Sequence, residues 1–482
     1  MKLFQNIKKL MTNNWITKSE QTFGFKIPAI DNSDLSLNLA IYSNDPPWLE
    51  DGVKTVGMAA TVCSEIARLT TMNIGIELTG SKRADFLNTQ VQDLIIPKIN
   101  DWTELACAAG EIILKPNGTS IDCLLPFQYQ IIEEVGNRIT KIVFIDEYYD
   151  AMTQLYYTRL EFHTIDENNL YTVSNRCFVG ETARSFQTSV PIEMTKWKDL
   201  NEDTYMLGIT EILAGRLKVP GVNNMTLGKN RRSVFQGATT ELEDLDIAYS
   251  RFAKENYDSK RTVLLDSDRL MMGGRIGTAN RDVMIKQQGL PDYVKAVEGV
   301  GDGSFYQEIN PTLNTEVRIK GINTLLSQIG FKCGFSNGYF VFNEKTGMVT
   351  ATQVESDDRR TLQTISAMRD ALKECIDDLV YALDKLADCY KLCTSGSYEI
   401  TYDMQDLTQN HEEDAARWFS YVQQGFVPFW YYLVKFEGIP EDEAKRIQAE
   451  ANEDDVSFED EEDELGTKKK KEEPDNNDPE DE

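Results

Sequence analysis

The chain has 482 residues, and its 79 aspartates and glutamates outnumber its 50 lysines and arginines to give a formal net charge of −29. This charge repels nucleic acid and anionic membrane, so neither is expected to bind over most of the surface. Of this net charge, −12 falls between Glu453 and Glu482. This segment has too few apolar residues to form a core and is predicted to be disordered. The length predicts two to four packed units in the remainder.

The cysteines and the two termini restrict the class of protein further. Eight cysteines without a CxxC pair, together with only two histidines, match neither a disulfide framework nor a zinc site, so reduced, cytosolic synthesis is expected. The first residues, MKLFQNIKKLMTNNWI, lack the apolar core of a signal peptide and are interpreted as a weakly amphipathic arm. No apolar run approaches the roughly 18 residues of a membrane span, which predicts a soluble protein.

The first half of the chain changes from helical to strand patterns near Glu111. Apolar residues recur at helical spacing over residues 54–72, and a second helical stretch is interrupted at Pro97. From Glu111 to Cys177, five β-branched and aromatic runs are separated by Asn-Gly, Gly-Asn and Glu-Asn-Asn turns. These runs predict the antiparallel strands of a meander.

Three better-marked helices follow in the second half. Thr240 and Glu243 form a capping box at the start of the first, and the second ends at Gly330. Another capping box, Thr352 and Glu355, opens a third helix of about 37 residues. At 1.5 Å per residue this helix is roughly 55 Å long.

The segments between and after these helices have a different composition. Residues 258–312 combine the strand RTVLLD with glycine-rich turns and are interpreted as a small inserted module. Residues 330–352 begin with a run of glycines and phenylalanines that predicts a mobile loop. After a short strand pair near SYEITYD, residues 412–451 are expected to form three short helices.

Each candidate catalytic or metal-binding residue has a simpler structural explanation. His163 falls in a strand and His411 at a helix start, and neither has a second ligand at metal-binding spacing. The Asp pairs at 357–358 and 377–378 lie on the long helix and are interpreted as solvated faces. The glycine-rich runs lack the Gly-Lys-Ser/Thr ending of a phosphate-binding loop. We therefore predict no catalytic residue, no metal, no cofactor and no enzymatic activity.

The segment SFYQEINPTLNTEVRIKGINTLLSQIGFKCGFSNGYFVFNEKTGMVTATQVESDDRRTLQTI resembles the portal, or head-to-tail connector, proteins of long-tailed double-stranded DNA phages. In that family an EINP-like start, a helix, a glycine-aromatic run and a TATQVES-like run precede a long kinked helix. Four other stretches resemble the family in the same order, so the resemblance covers most of residues 50–450. The chain departs from the family at Gln353, where relatives often carry an acid.

The resemblance implies an α+β portal fold of long helices and small antiparallel sheets, with about twelve subunits in a ring around a DNA tunnel. Such a ring lies at one capsid vertex of the virion and guides DNA during packaging and ejection. Its implied partners are terminase, a head-completion adaptor, and the major capsid and scaffolding proteins. The implied domains are an N-terminal arm (1–50), wing (51–238), stem helix (239–257), clip (258–312), stem helix (313–329), tunnel loop (330–352), long wing helix and connection (353–401), crown (402–452) and acidic tail (453–482).

The resemblance also implies roles within the tunnel loop. Its glycines are expected to supply mobility, its aromatic side chains to pack loop against loop around the ring, and Lys332 and Lys345 to make weak phosphate contacts. Thr352 and Glu355 are expected to fix the point at which the long helix begins. The loop residues singled out are Gly330, Phe331, Lys332, Gly334, Phe335, Gly338, Tyr339, Phe340, Lys345 and Gly347.

Two other classes of protein stay open at this point. A metal-dependent nuclease needs carboxylates that converge from several elements of the fold. A non-catalytic capsid scaffold or interaction protein shares the acidity and the long helix. Only the portal is expected to form a ring with a central hole.

Overall fold

The computed structural model shows an α+β chain that divides into two compact units, Met1–Gln405 and Asp406–Glu482. The predicted acidic tail lies outside the described residues. The structure describes residues 14–26, 33–49, 52–136, 138–223, 231–259, 262–266, 294–297, 306–310, 314–341, 351–404, 411–441 and 443–449.

Helices come first in the first unit and strands follow, as the sequence patterns predict. The helices are α1 (Asn14–Phe23), α2 (Ser33–Tyr42), α3 (Met58–Thr71), α4 (Lys82–Gln90), α5 (Ile99–Ala109), α6 (Thr239–Asp258), α7 (Thr315–Lys332) and α8 (Ala351–Cys389). Between α4 and α5 the chain passes through a π-helical turn and a 3₁₀ turn that contains Pro97. The predicted interruption at this proline is confirmed, because proline cannot donate the helical hydrogen bond.

The strands of the first unit build four sheets among the described residues. The strands are β1 (Ile74–Thr79), β2 (Glu111–Asn117), β3 (Ser120–Leu124), β4 (Tyr129–Val135), β5 (Arg138–Asp150), β6 (Leu155–Ile165), β7 (Leu170–Gly180), β8 (Thr188–Val190), β9 (Asp203–Leu207), β10 (Gly215–Lys218), β11 (Thr262–Asp266), β12 (Val294–Val297), β13 (Tyr306–Ile309) and β14 (Glu399–Met404). The largest sheet is an antiparallel meander in the order β4-β5-β6-β7-β8, with β9 beside β7. The predicted meander is therefore confirmed for three of its five runs, which form β5, β6 and β7.

The smaller sheets differ from the sequence prediction in two respects. Strands β2 and β3 leave the meander and pair in a separate sheet with β10. Strand β11 lies between an antiparallel partner, β13, and a parallel partner, β12, so this sheet is mixed, whereas the resemblance implies small antiparallel sheets. The reason is that the long connection from β11 to β12 can return the chain to the same end of the sheet. The remaining pair joins β14 to β1, far apart in the sequence.

Both faces of the large sheet are buried at its centre. Side chains alternate along β5, so Ile142 and Phe144 enter one hydrophobic cluster while Val143 and Ile145 enter another. The second cluster is completed by Trp15 of α1, whose side chain is 2% exposed. Residues 14–23 of the predicted amphipathic arm are thus a helix packed on the sheet, because Trp15 covers an apolar sheet face.

A charged cluster lies inside the same sheet. Glu161 accepts hydrogen bonds from the side chains of Lys115 (2.6 Å) and His163 Nε2 (2.8 Å), and it forms an ion pair with Arg159 Nη2 at 2.9 Å. Because Nε2 donates to the carboxylate, the other ring nitrogen, Nδ1, accepts from the Tyr171 hydroxyl at 2.5 Å. Burial lowers the pKa of His163, which keeps the ring neutral. This histidine has the structural role that the sequence indicates.

The second unit is rich in aromatic side chains. It contains α9 (His411–Gln423) and α10 (Phe429–Phe436), and residues 443–449 are also helical, in agreement with the three short helices predicted. Lys435 Nζ lies 3.9 Å from the ring centroid of Trp418, an attractive cation–π contact. Across the described residues of both units, no helix is both long and apolar enough to cross a membrane.

Candidate functional site

Helices α6 and α7, the two predicted stem helices, form an antiparallel pair. An ion pair joins Lys332 Nζ near the end of α7 to Glu241 Oε1 near the start of α6, at 2.6 Å. At the opposite end, Arg318 Nε lies 2.8 Å from Glu255 Oε2. The predicted capping box at Thr240 is wrong, because α6 begins one residue earlier, directly after a 3₁₀ turn, and the N-cap position is Ala238.

An open groove of about 520 Å³ runs between these two helices. Its floor and walls are mostly apolar, and Val317 is 70% exposed there. Such a surface is unusual for a face that meets only water, because contiguous exposed apolar area marks interaction sites. The lining residues are Ala248, Arg251, Asn314, Val317, Arg318, Gly321, Ile322 and Leu325.

The C-terminal end of α7 is a Schellman motif, a helix stop that closes two backbone hydrogen bonds. Phe335 N–H donates to Gly330 C=O at 2.9 Å, and Gly334 N–H donates to Phe331 C=O at 3.2 Å. Gly334 has φ +95°, the left-handed conformation that this motif requires and that glycine adopts without a steric cost. The predicted helix end at Gly330 was therefore wrong by two residues, since α7 continues to Lys332.

One turn of α8 holds this helix stop in place. Thr364 Oγ1 donates to Gly334 C=O at 2.8 Å, and Ser336 N–H donates to Thr361 Oγ1 at 2.9 Å. Gly334 and Thr364 are closely packed, because a Cβ added to Gly334 would lie 2.5 Å from Thr364 Oγ1. The glycine here permits a close approach between two elements, and Gly334 and Ser336 are hydrogen-bonded to α8. The mobility expected of the tunnel loop stays a prediction.

An arginine of α8 also binds the end of α7. Arg360 Nη2 donates to Phe331 C=O at 3.0 Å, and the guanidinium lies 3.8 Å from the centroid of the Phe331 ring. A cation at the C-terminal end of a helix interacts favourably with the helix dipole and with carbonyls that lack helical partners. Nothing in the local sequence distinguishes Arg360 from its neighbour Arg359, so sequence reasoning missed this contact.

The aromatic residues after the helix stop pack on one another within the chain. Phe335 is 1% exposed, and its ring centroid lies 4.8 Å from those of both Tyr339 and Phe340. The Tyr339 hydroxyl donates to Glu65 of α3, and burial together with this hydrogen bond raises the pKa of Tyr339 to about 12. Of these rings Phe335 is unavailable for the expected contacts between neighbouring loops, because the core of its own subunit already covers it.

The comparison with protein families decides the class of this chain. The family model described as "Phage portal protein, SPP1 Gp6-like" matches residues 141–457. The chain belongs to this portal family. The match extends from β5 through α6, α7 and α8 into the second unit, and it confirms the resemblance found in the sequence.

Other comparisons add one solved structure. A chain titled "Virion of native gene transfer agent (GTA) particle" is similar, with 10% sequence identity and a TM-score of 0.45. The similarity covers 89% of this portal-family chain and 99% of that chain. No match was found among curated proteins.

The remaining predicted site residues occupy different situations in this portal-family chain. Lys332 is engaged by Glu241, and Gly338 has φ +81° with open space around it. Lys345 and Gly347 lie outside the described residues. Helix α8 begins at Ala351, one residue before the predicted cap, and the side chain of Thr352 lies outside the described residues. The side chain of its capping partner Glu355 is also outside the described residues.

Carboxylates along α8 are less uniformly solvated than the sequence indicated. Asp378 is half-buried, and burial next to Glu211 raises its pKa to about 7. Its neighbour Asp377 accepts a hydrogen bond from the Tyr402 hydroxyl at 2.6 Å. Within the described ranges, no group of three histidine, cysteine, aspartate or glutamate side chains could hold a metal ion.

Proposed function

We propose that this portal-family chain assembles into a ring at one capsid vertex and forms the conduit for double-stranded DNA during packaging and ejection. The observation that carries the proposal is the pair α6 and α7, whose apolar groove faces solvent in the isolated chain. In this proposal α6 and α7 are the stem and strands β11 to β13 belong to the clip. The wing holds the six-stranded sheet, the sheet of β10, β2 and β3, and α8, and residues 402–452 are the crown.

The distribution of apolar residues on α7 supports a ring. Val317 lines the groove and is 70% exposed, while Ile319 is 38% exposed and lies about 200° further round the helix, on the other side. A subunit in a closed ring has one neighbour on each side, and the two contacts use different surfaces of the same chain. A helix with exposed apolar residues on two sides meets that requirement.

The charge of the chain suits a conduit. A wall that carried many free lysines and arginines would hold DNA by its phosphates, since each neutralised phosphate adds to the affinity. Here the formal net charge is −29, and Lys332, one of the two lysines expected to face DNA, is neutralised by Glu241. DNA then slides past the protein without being bound tightly.

We propose that terminase docks on the clip, that a head-completion adaptor also binds the ring, and that capsid and scaffolding proteins surround it. In this arrangement the chain itself is not an enzyme, and the packaging ATPase is a separate protein. The purified full chain should therefore hydrolyse neither ATP nor DNA in the presence of Mg²⁺. ATP hydrolysis above that of a heat-inactivated sample would contradict the proposal, and DNA cleavage would favour a nuclease.

Negative-stain electron microscopy of the purified chain tests the ring directly. Wild-type protein should show rings with a central hole, and Val317→Asp should abolish them because it places a charge in the groove. Val135→Asp is the matched control, since Val135 is 63% exposed on β4, away from the α6–α7 pair. Rings in all three proteins would exclude the groove as the interface, and rings in none would favour a scaffold or interaction protein.

A further inference from the structure

Three helices of the first unit meet around the stop of α7. We use the name junction for the residues by which α3, the end of α7 with its following turn, and α8 contact one another. Each of the three pairs of elements has its own contact. The junction consists of Glu65, Leu69, Thr70 and Met72 on α3 and its C-cap, Phe331, Gly334, Ser336 and Tyr339 at the end of α7, and Arg360, Thr361, Thr364 and Arg369 on α8.

Contact between α7 and α8 depends on carbonyl groups at the end of a helix. Arg360 donates to Phe331 C=O, and Thr364 donates to Gly334 C=O. Both acceptors belong to the stop of α7, since Phe331 lies in the last turn of the helix and Gly334 is the left-handed residue of the motif that ends it. The position of α8 is therefore defined relative to the end of α7 itself.

Contact between α8 and α3 uses the same chemistry two and a half turns further along α8. Arg369 donates from Nε to Thr70 C=O at 3.1 Å and from Nη2 to Leu69 C=O at 3.3 Å. Arg369 is 7% exposed, so a buried guanidinium is bound to the carbonyl end of α3. Charge-assisted hydrogen bonds of this kind are about twice as strong as neutral ones.

The third contact closes the triangle between α7 and α3. Tyr339, in the turn after α7, donates its hydroxyl proton to Glu65 of α3. Glu65 is in turn held by Arg68, whose Nε and Nη2 lie 2.9 and 2.7 Å from the two carboxylate oxygens. Each pair of helices is thus linked directly and also through the third helix.

We propose that the junction makes α3, α7 and α8 a single rigid body, with Arg360 and Arg369 as its positioning residues. A closed triangle of contacts removes the relative motions that a single contact leaves free. A displacement of α7 is then passed to α3 and α8 and is not absorbed by a hinge after Lys332. The role of this rigid body rests on the proposed portal function, in which the junction transmits motion of the stem to the wing.

Hydrogen exchange of the full chain, read by mass spectrometry, tests the proposal in Arg360→Met. Methionine keeps a long side chain on the Phe331 ring but removes the charge and the hydrogen bond to Phe331 C=O. Exchange at residues 329–335 should rise about ten-fold, as expected for a lost charge-assisted hydrogen bond. A rigid triangle also requires hydrogen exchange to rise by about three-fold or more at residues 69–72, at the end of α3. This second rise is the decisive result.

Two further variants complete this experiment. Arg359→Met is the matched control, since Arg359 is exposed like its neighbour Arg360 on the same helix, and it should leave exchange in both segments unchanged. If Arg360→Met raises exchange throughout the chain, Thr364→Val becomes the deciding test of the rigid triangle. This variant removes one hydrogen bond and keeps the shape of the side chain. A rise confined to residues 329–335 in the deciding variant would overturn the rigid triangle. The measurement involves no DNA, so that result would leave the portal proposal, which microscopy tests, unaffected.

Discussion

Helices α7 and α8 end in the same backbone motif but in different surroundings. At the end of α8, Leu392 N–H donates to Ala387 C=O and Lys391 N–H donates to Asp388 C=O, the two hydrogen bonds that also close α7. Lys391 occupies the left-handed position with φ +54°, where α7 has Gly334. The residue after it, Leu392, is 61% exposed, whereas its counterpart Phe335 is 1% exposed.

The comparison shows that the Schellman motif alone does not require glycine and does not determine whether the residue after it is buried. A lysine adopts the left-handed conformation at the end of α8 at a cost of roughly 1 kcal/mol. Glycine is required at the end of α7 because Thr364 occupies the space that a side chain would need. A glycine-rich run can therefore indicate close packing, and here it does so at the point where the sequence suggested mobility.

The largest effect is expected from removal of the buried ring after the α7 stop. Phe335→Ala should lower the free energy of unfolding by about 4 kcal/mol, because it leaves a cavity in a packed core. Leu392→Ala makes the corresponding change after the α8 stop and should cost less than about 0.5 kcal/mol. Denaturant titrations of both variants measure the difference, and equal losses would show that the two stops do not differ in packing.

A smaller but still large effect is expected from Gly334→Ala. The added Cβ meets Thr364 and the left-handed backbone becomes unfavourable, so the free energy of unfolding should fall by about 3 kcal/mol. Gly338→Ala is the matched control, since φ is +81° with no atom within 4 Å of the added Cβ, and about 1 kcal/mol is expected. A Gly334→Ala loss no greater than that of the control would contradict the close approach to α8.

The opposite sign is expected at the end of α8. Lys391→Gly replaces a residue in the left-handed conformation by one that adopts it freely, so the chain should gain about 0.5 to 1 kcal/mol of stability. The gain is reduced by the greater entropy of glycine in the unfolded chain. Thermal unfolding of this variant beside wild type measures the change, and a lower melting temperature would show that the Lys391 side chain stabilises the native state.

The last prediction concerns pH and separates the helix stops from the charged cluster in the large sheet. Burial lowers the pKa of His163 in the folded chain, so the unfolded chain takes up a proton more readily. The contribution of His163 is complete above about pH 6.5 and is lost as the pH falls towards its lowered folded pKa.

Between pH 7 and 5.5 the free energy of unfolding should fall by up to about 1 kcal/mol because of His163. This part of the pH dependence of the free energy of unfolding should be absent in His163→Gln. The differences caused by Gly334→Ala and Lys391→Gly should stay constant over the same range, since neither change lies next to the cluster. A slope that is the same in His163→Gln and wild type would assign the pH dependence to other groups.

The sequence by itself determined the α+β class, the meander, the long helix, the break at Pro97 and membership of the portal family. These features depend on local periodicity, on turn residues and on motifs in a fixed order, all of which are visible along the chain. Only the tertiary structure decided that the glycine-aromatic run contacts α8 at Phe331, Gly334 and Ser336 and that Trp15 belongs to the core. Those outcomes depend on partners such as Thr364, 30 residues beyond Gly334, and on the sheet face that covers Trp15. Pairings over such distances leave no periodic signal, because the fold and not the neighbouring sequence brings the two groups together.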